Sequence, residues 1–237
     1  MILPKPYYEK DGIVIYNAHC RNILRELPCA DLAITDPPYG KETHAGARTG
    51  DGDKILVDFS SITADELRGI MELANIKRWW ISFMEWRHIA ELERKPPINL
   101  EFIRMGIWVK PNGAPQFTGD RPGTGWEGVG LFHKPGKKFW NGGGHHAVWI
   151  DNKENTLHPT GKPISLINRL MDLFSLPDEL VLDPFMGSGT TLLSAKELGR
   201  KAIGIEIEEK YCEIAAKRLS QDVFDFTEIN PQGEGGE

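Results

Sequence analysis

The stretch from Leu180 to Glu206 constrains the fold more than any other part of this 237-residue chain. Leu180-Val181-Leu182-Asp183 is a short apolar run of the kind that a buried parallel strand requires. Pro184-Phe185-Met186-Gly187-Ser188-Gly189-Thr190-Thr191 turns out of it into a helix that runs to Leu198, which Gly199-Arg200 closes. Lys201–Glu206 is the next strand and ends on an acid. Strand, Gly-x-Gly turn, helix, strand and acid make a βαβ unit, whose ligands bind beyond the carboxyl ends of the strands. The two glycines let backbone approach a ligand closely. Glu206 stands 23 residues after Asp183, about where an acid takes ribose hydroxyls. The third glycine of G-x-G-x-x-G is missing, with Leu192 in its place. The acidic, proline-bent start of the turn disfavours a pyrophosphate, and no Gly-Lys-Ser/Thr follows to make a phosphate loop.

A second stretch, Ile34-Thr35-Asp36-Pro37-Pro38-Tyr39-Gly40, supplies a different chemistry. Asp31–Thr35 reads as a buried strand that the Pro-Pro pair ends abruptly. A carboxylate, two prolines and a phenol ring then stand at its carboxyl end. Neither proline donates a backbone hydrogen, so the carbonyls there are free to accept one. Tyr39 can stack on a flat heterocycle while Asp36 accepts an N–H beside it. Such a site suits a planar group bearing an exocyclic amine. The plainer reading is a strand closed by a turn with a solvated acid, and the glycine turn far down the chain weighs against it.

The rest of the chain alternates strands and helices. Gly12–Tyr16 is a strand, Asn17-Ala18-His19-Cys20 follows it, and a helix over Arg21–Leu27 leads to Asp31–Thr35. That unit puts His19, Cys20 and Asp36 at one sheet edge. Thr63 and Glu66 form a capping box that opens a helix to about Ile76. Arg78–Met84, Phe102–Val109 and Gly128–Phe132 are strands, with a helix over Trp86–Arg94. Pro163 suits the first turn of a helix over Ile164–Phe174, so Thr160 and Lys162 flank a helix N-terminus, a natural seat for a carboxylate. A helix over Glu208–Leu219 follows the last strand. Residues 41–58 lack an apolar period and read as a mobile loop, either a lid or plain surface. Lys110–Asn155 interleaves basic and aromatic side chains among glycines, which suits phosphates and unstacked bases, or a hairpin packed on the sheet. Residues 1–225 make one domain with these two insertions, and residues 226–237 form a disordered tail.

Charge sharpens the choice of partner. The net charge of −6 disfavours tight nonspecific nucleic-acid binding. Its distribution matters more: residues 201–237 hold four basic and nine acidic side chains, and residues 101–150 hold six basic and three acidic ones. One face can therefore be basic. Cys20, Cys29 and Cys212 lack metal-ligand spacing and read as reduced thiols of a cytoplasmic protein. The opening residues are no signal peptide, and no apolar run is long enough to span a bilayer. The paired His145 and His146 have no Cys or carboxylate at ligand spacing, so no metal is expected.

A nucleoside that carries positive charge and no phosphate fits the turn after Asp183, and S-adenosylmethionine answers that description. Asp36-Pro37-Pro38-Tyr39 together with Asp183-Pro184-Phe185-Met186-Gly187-Ser188-Gly189-Thr190 resembles the motifs of the DNA amino-methyltransferases. His158-Pro159-Thr160-Gly161-Lys162-Pro163 is similar to the segment that precedes their cofactor loop, and the catalytic motif comes first, the permuted beta-type order. The resemblance runs from about Gly12 to Leu219. It implies a Rossmann-like α/β fold with a mostly parallel seven-stranded sheet and one antiparallel strand. It also implies methyl transfer from S-adenosylmethionine to adenine N6 or cytosine N4 in double-stranded DNA, with the base flipped out. The Asp-initial tetrapeptide resembles the adenine enzymes more often. The implied catalytic residues are Asp36, Pro37, Pro38 and Tyr39. Those implied for the cofactor are His19, Cys20, Thr160, Lys162, Asp183, Pro184, Phe185, Gly187, Ser188, Gly189, Thr190 and Glu206. His19 departs from the family, which usually places Asp there. Cytosine or an amine of RNA or protein as acceptor, a catalytically idle DNA-binding module, a nicotinamide dehydrogenase and association into a homodimer stay open.

Overall fold

Strand side chains alternate between two apolar layers, and both layers are covered. In the computed structural model, which describes residues 3–38, 61–113, 119–153 and 161–221, Leu32, Ile34, Trp79, Ile81 and Phe83 belong to one buried cluster. Ala33, Trp80 and Met84 belong to the other. This period of two, apolar on both faces, is what a sheet between helices requires.

In chain order the elements begin with β1 (Tyr8–Lys10), β2 (Ile13–Asn17), the short α1 (Cys20–Ile23) with a 3-10 turn over Leu24–Glu26, and β3 (Ala30–Thr35). Next come α2 (Ala64–Leu73), β4 (Ile76–Met84), α3 (Trp86–Arg94), β5 (Glu101–Val109), β6 (Trp126–His133) and β7 (Val148–Ile150). The chain continues through α4 (Ile164–Phe174), β8 (Leu180–Asp183), α5 (Thr190–Glu197), β9 (Lys201–Glu206) and α6 (Glu209–Ser220). Among the described residues the strands form one nine-stranded sheet in the order β1-β2-β9-β8-β3-β4-β6-β5-β7. Helices α4, α5 and α6 pack on one face and α1, α2 and α3 on the other.

The sheet therefore has nine strands where seven are expected. The difference is the three-residue edge strands β1 and β7. Each pairs along one side only, β1 antiparallel to β2 and β7 parallel to β5. Within the remaining seven, β6 is the antiparallel member, running against both β4 and β5. Strands β2 and β3 are parallel but not neighbours, since β9 and β8 lie between them. Helix α2 opens on the expected capping box, with Thr63 Oγ1 accepting from Glu66 N and Glu66 Oε2 accepting from Thr63 N. It stops at Leu73, because Ile76 pairs with Ala30 as the first residue of β4. The apolar Ile76 suits either period, and the cross-strand partner decides. Among the described residues no helix is long and apolar enough to cross a membrane. Residues 41–58 and 226–237 lie outside the described residues.

Candidate active site

The two motifs meet in the middle of the sheet. Strand β8 leads through α5 to β9 on one side, and β3 leads through α2 to β4 on the other. The boundary between β8 and β3 is thus a topological switch point, where a crevice opens beyond the carboxyl ends. Leu182 pairs with Ala33, so Asp183 and Asp36 leave adjacent strands. A buried hydrogen bond ties them: Thr35 Oγ1 donates to Asp183 Oδ1 at 2.7 Å. Phe185 N donates to the same oxygen at 3.1 Å, and Thr191 also bonds this side chain. Burial pushes the Asp183 carboxyl up to about 6 despite these donors. Asp183 thus sits beneath the turn as a fastener between the motifs.

Above it the glycine turn forms a cradle. Gly187 and Gly189 have φ of +50° and +81°, in the left-handed region that side chains resist. Among the described residues a Cβ on Gly187 would meet no atom within 4 Å, whereas one on Gly189 would strike Ala215 Cβ of α6 at 2.8 Å. Gly187 faces open space and Gly189 lets α6 close on the turn. Pro184 and Ser188 are buried, and Phe185 is half-buried. Arg218 holds the turn from α6, donating to Ser188 O at 2.6 Å, with Ser188 Oγ and Thr190 Oγ1 at 3.3 and 3.5 Å.

Glu206 completes this side of the crevice. Its carboxylate accepts from Gly187 N at 3.0 Å and from Glu208 N at 2.9 Å, while burial raises its pKa. Two further bonds bring the end of β2 to it: Asn17 Nδ2 and Ala18 N both donate to Glu206 O at 3.0 Å. The His19 segment and Glu206 therefore share one corner. His19 is exposed and caps α1, its Nδ1 accepting from Arg21 N at 3.2 Å. With Nδ1 accepting, the N–H of the neutral ring sits on Nε2. Cys20 packs inward, and burial pushes its thiol up to about 11. Ile207, directly after Glu206, is 60% exposed, an apolar surface at the mouth of the cradle that the sequence reading did not single out.

The Asp36 side is built otherwise. Asp36 Oδ2 pairs with Lys162 Nζ, while Asp36 Oδ1 is buried with no hydrogen-bond partner among the described residues. Lys162 is itself buried, and its ammonium also meets Glu127 Oε1 at 3.2 Å. The position expected to seat a ligand carboxylate thus faces two carboxylates of the chain itself. Burial works against the Lys162 ammonium, but Asp36 and Glu127 outweigh it and its pKa is raised. Burial also raises the Glu127 carboxyl. Glu127 Oε2 lies 2.8 Å from Lys110 Nζ. Neither Glu127 nor Lys110 stands within a recognisable motif, so local sequence carries no signal for their meeting at Lys162. Pro37 is buried, and the carbonyl of Pro38 accepts from Ile62 N at 2.8 Å. Tyr39 and Thr160, expected to stack on a base and to hold the cofactor, lie outside the described residues.

Comparison with known proteins matches this architecture. The family model described as DNA methylase, of the N6/N4 class, covers residues 30–217. Type II methyltransferase M.ScaI of Streptomyces caespitosus is 46% identical, across 93% of this chain and 85% of its own length. Type II methyltransferase M2.LlaDCHI of Lactococcus lactis subsp. cremoris is 28% identical across 93% of this chain and 94% of its own. The crystal structure of the M1.HpyAVI–SAM complex superposes with a TM-score of 0.68 at 28% identity, covering 86% of this chain and 98% of that one. The cytosine-N4-specific PvuII DNA methyltransferase shares the fold, with a TM-score of 0.74 at 17% identity.

Proposed function

This chain belongs to the N6/N4 DNA methylase family, and from that premise we propose that it transfers a methyl group from S-adenosylmethionine to the exocyclic N6 of adenine in double-stranded DNA. The observation that carries the acceptor chemistry is Asp36: one oxygen is held by Lys162 and the other is buried with no partner among the described residues. A buried acceptor without a donor costs about 1–3 kcal/mol, which an incoming N–H recovers.

The cradle fits S-adenosylmethionine. Glu206 retains acceptor capacity for a ribose hydroxyl, since a carboxylate offers about four lone-pair sites and the backbone donors are those of Gly187, Ile207 and Glu208. Gly187 leaves room for close approach, Ile207 offers an apolar face, and Phe185 lies beside the turn. Arg218, the guanidinium bonded to the turn, is engaged by Ser188, which suits a ligand without phosphate. When bound, the cofactor supplies an electrophilic methyl group. The His19 ring presents its Nε2–H at the same corner, as a donor to a ring nitrogen.

The residues of the chain prepare the nucleophile. The amine lone pair of adenine is delocalised into its ring. Asp36 Oδ1 accepts one N–H, and the Pro37 carbonyl accepts the other, since the Pro38 carbonyl already serves Ile62. The two bonds draw the nitrogen towards tetrahedral geometry and free its lone pair. The carboxylate also stabilises the positive charge that grows there, so positioning and electrostatics supply most of the gain. The proton leaves to Asp36 or water after transfer. A base inside a duplex is out of reach, so it is flipped out, with Tyr39 stacking on it. Basic and aromatic residues of 110–155 contact the DNA around it.

The test is to sequence host DNA for modified bases after expression, then to assay duplexes in which the target adenine lacks its amine. N6-methyladenine that disappears with the amine is the expected result. Label on cytosine N4 would reassign the acceptor.

A further inference from the structure

Four charged groups of alternating sign run from Lys110 to Asp36. Lys110 follows β5, Glu127 lies in β6 opposite Trp108, Lys162 precedes α4, and Asp36 follows β3. Lys110 Nζ and Glu127 Oε2 are 2.8 Å apart, Glu127 Oε1 and Lys162 Nζ 3.2 Å, and Lys162 pairs in turn with Asp36 Oδ2. The side chains are 21%, 12%, 8% and 28% exposed, so water screens these charges weakly. Aromatic rings form the floor. Lys110 Nζ sits 4.6 Å from the Trp108 ring centre, Lys162 Nζ sits 5.0 Å from that of Phe83, and the two rings meet edge to face.

Resting on the methyltransferase reading, we propose that Glu127 and Lys110 are positioning residues for methyl transfer, acting on Asp36 through Lys162. An ammonium paired with Asp36 alone would neutralise it and leave little negative potential at Oδ1 for a nitrogen that is becoming positive. Glu127 divides that ammonium between two carboxylates, so Asp36 keeps part of its charge. Lys110 holds Glu127 Oε2 at 2.8 Å, which keeps Oε1 of that carboxylate turned to Lys162.

The groups that face Lys110 are Glu127 on β6, Lys162 ahead of α4, Lys153 after β7, Asp36 after β3 and the Trp108 ring on β5. Burial, then repulsion from Lys162 and Lys153, works against the Lys110 ammonium, and the Glu127 carboxylate at 2.8 Å favours it.

Two measurements test this, both on the full chain. The first is the kinetics of DNA methylation at a single pH. Glu127→Gln should lower kcat by about tenfold and Lys110→Met by about threefold, with the KM for DNA and for S-adenosylmethionine within about twofold, and Lys110→Arg should restore the rate. An unchanged kcat in Glu127→Gln, or equal losses in Lys110→Met and Lys110→Arg, overturns the proposal. The second needs no activity: a thermal-unfolding cycle of Asp36→Asn, Glu127→Gln and the double variant. Shared dependence on Lys162 predicts a double-variant Tm shift that differs from the sum of the single shifts, and additive shifts overturn the coupling. A wild-type chain that binds S-adenosylmethionine yet methylates neither base refutes the proposed function, and the kinetic claim falls with it. The cycle still decides on the coupling.

Discussion

The crevice has two walls made by opposite means. On the β8–β9 side, Gly187, Gly189 and Glu206 lie within one βαβ unit, and the acid is tied to backbone N–H groups of that same unit. On the β3–β4 side, Asp36, Glu127, Lys110 and Lys162 come from four separate segments and satisfy one another through charged side chains. A wall of local backbone tolerates changes at individual side chains but not at its glycines. A wall of interlocked charges fails when one member is lost, because a partner is left buried and unpaired. The contrast suits a division of labour between holding a ligand and polarising one.

The strongest test of this contrast is Asp36→Ala. It should reduce methyl transfer by about 10³-fold or more, while S-adenosylmethionine affinity, measured by calorimetry, stays within about threefold. Loss of both together would mean that the walls are not separate. Next in size is Asp183→Asn at their junction. The carboxyl of Asp183 titrates near 6 when folded, against 3.8 as an ordinary side chain, so the folded state binds the proton more tightly. Its stabilising contribution is present below pH 4 and is lost as pH rises through about 6. An amide in its place carries no such penalty, so the variant should melt about 5 °C above wild type at pH 7, and the gap should close as pH falls towards 4. A gap independent of pH would remove the titration of Asp183 from the account.

The glycine wall is tested by two alanines. Gly189→Ala meets both the left-handed backbone and Ala215, and should cost about 2–3 kcal/mol in chemical denaturation. Gly187→Ala meets no neighbour among the described residues, and should cost about 1 kcal/mol while weakening S-adenosylmethionine binding. Equal costs would mean that closure by α6 is not what Gly189 provides. The smallest effect is expected at His19. His19→Ala should lose about 1 kcal/mol with the α1 cap, whereas His19→Asp should stay within about 0.5 kcal/mol of wild type.

How much of this was legible beforehand follows the same division. Strand β8, helix α3, helix α4 and strand β9 have the expected bounds, because their apolar periods and closing residues lie within each segment. Edge strands β1 and β7 were not foreseen, since three residues paired on one side leave no period to read. Asp36 was recognisable beside its prolines, and Glu206 by its distance from the glycine turn. Lys162 was placed near the site, but its partners were not. Glu127 looks like any acid at a strand end until the antiparallel pairing of β6 with β4 and β5 carries it to Lys162.

By itself, then, the order of residues determined the alternation of strands and helices, the two motifs and the chemistry that each can hold, because those depend on spacing over a few turns of chain. Only the tertiary structure decided that the motifs leave adjacent strands, that the Pro38 carbonyl is taken by Ile62, and that Asp36 shares one ammonium with Glu127. Those outcomes depend on which distant strands pair and on charges removed from water together, and neither has a signature in local sequence.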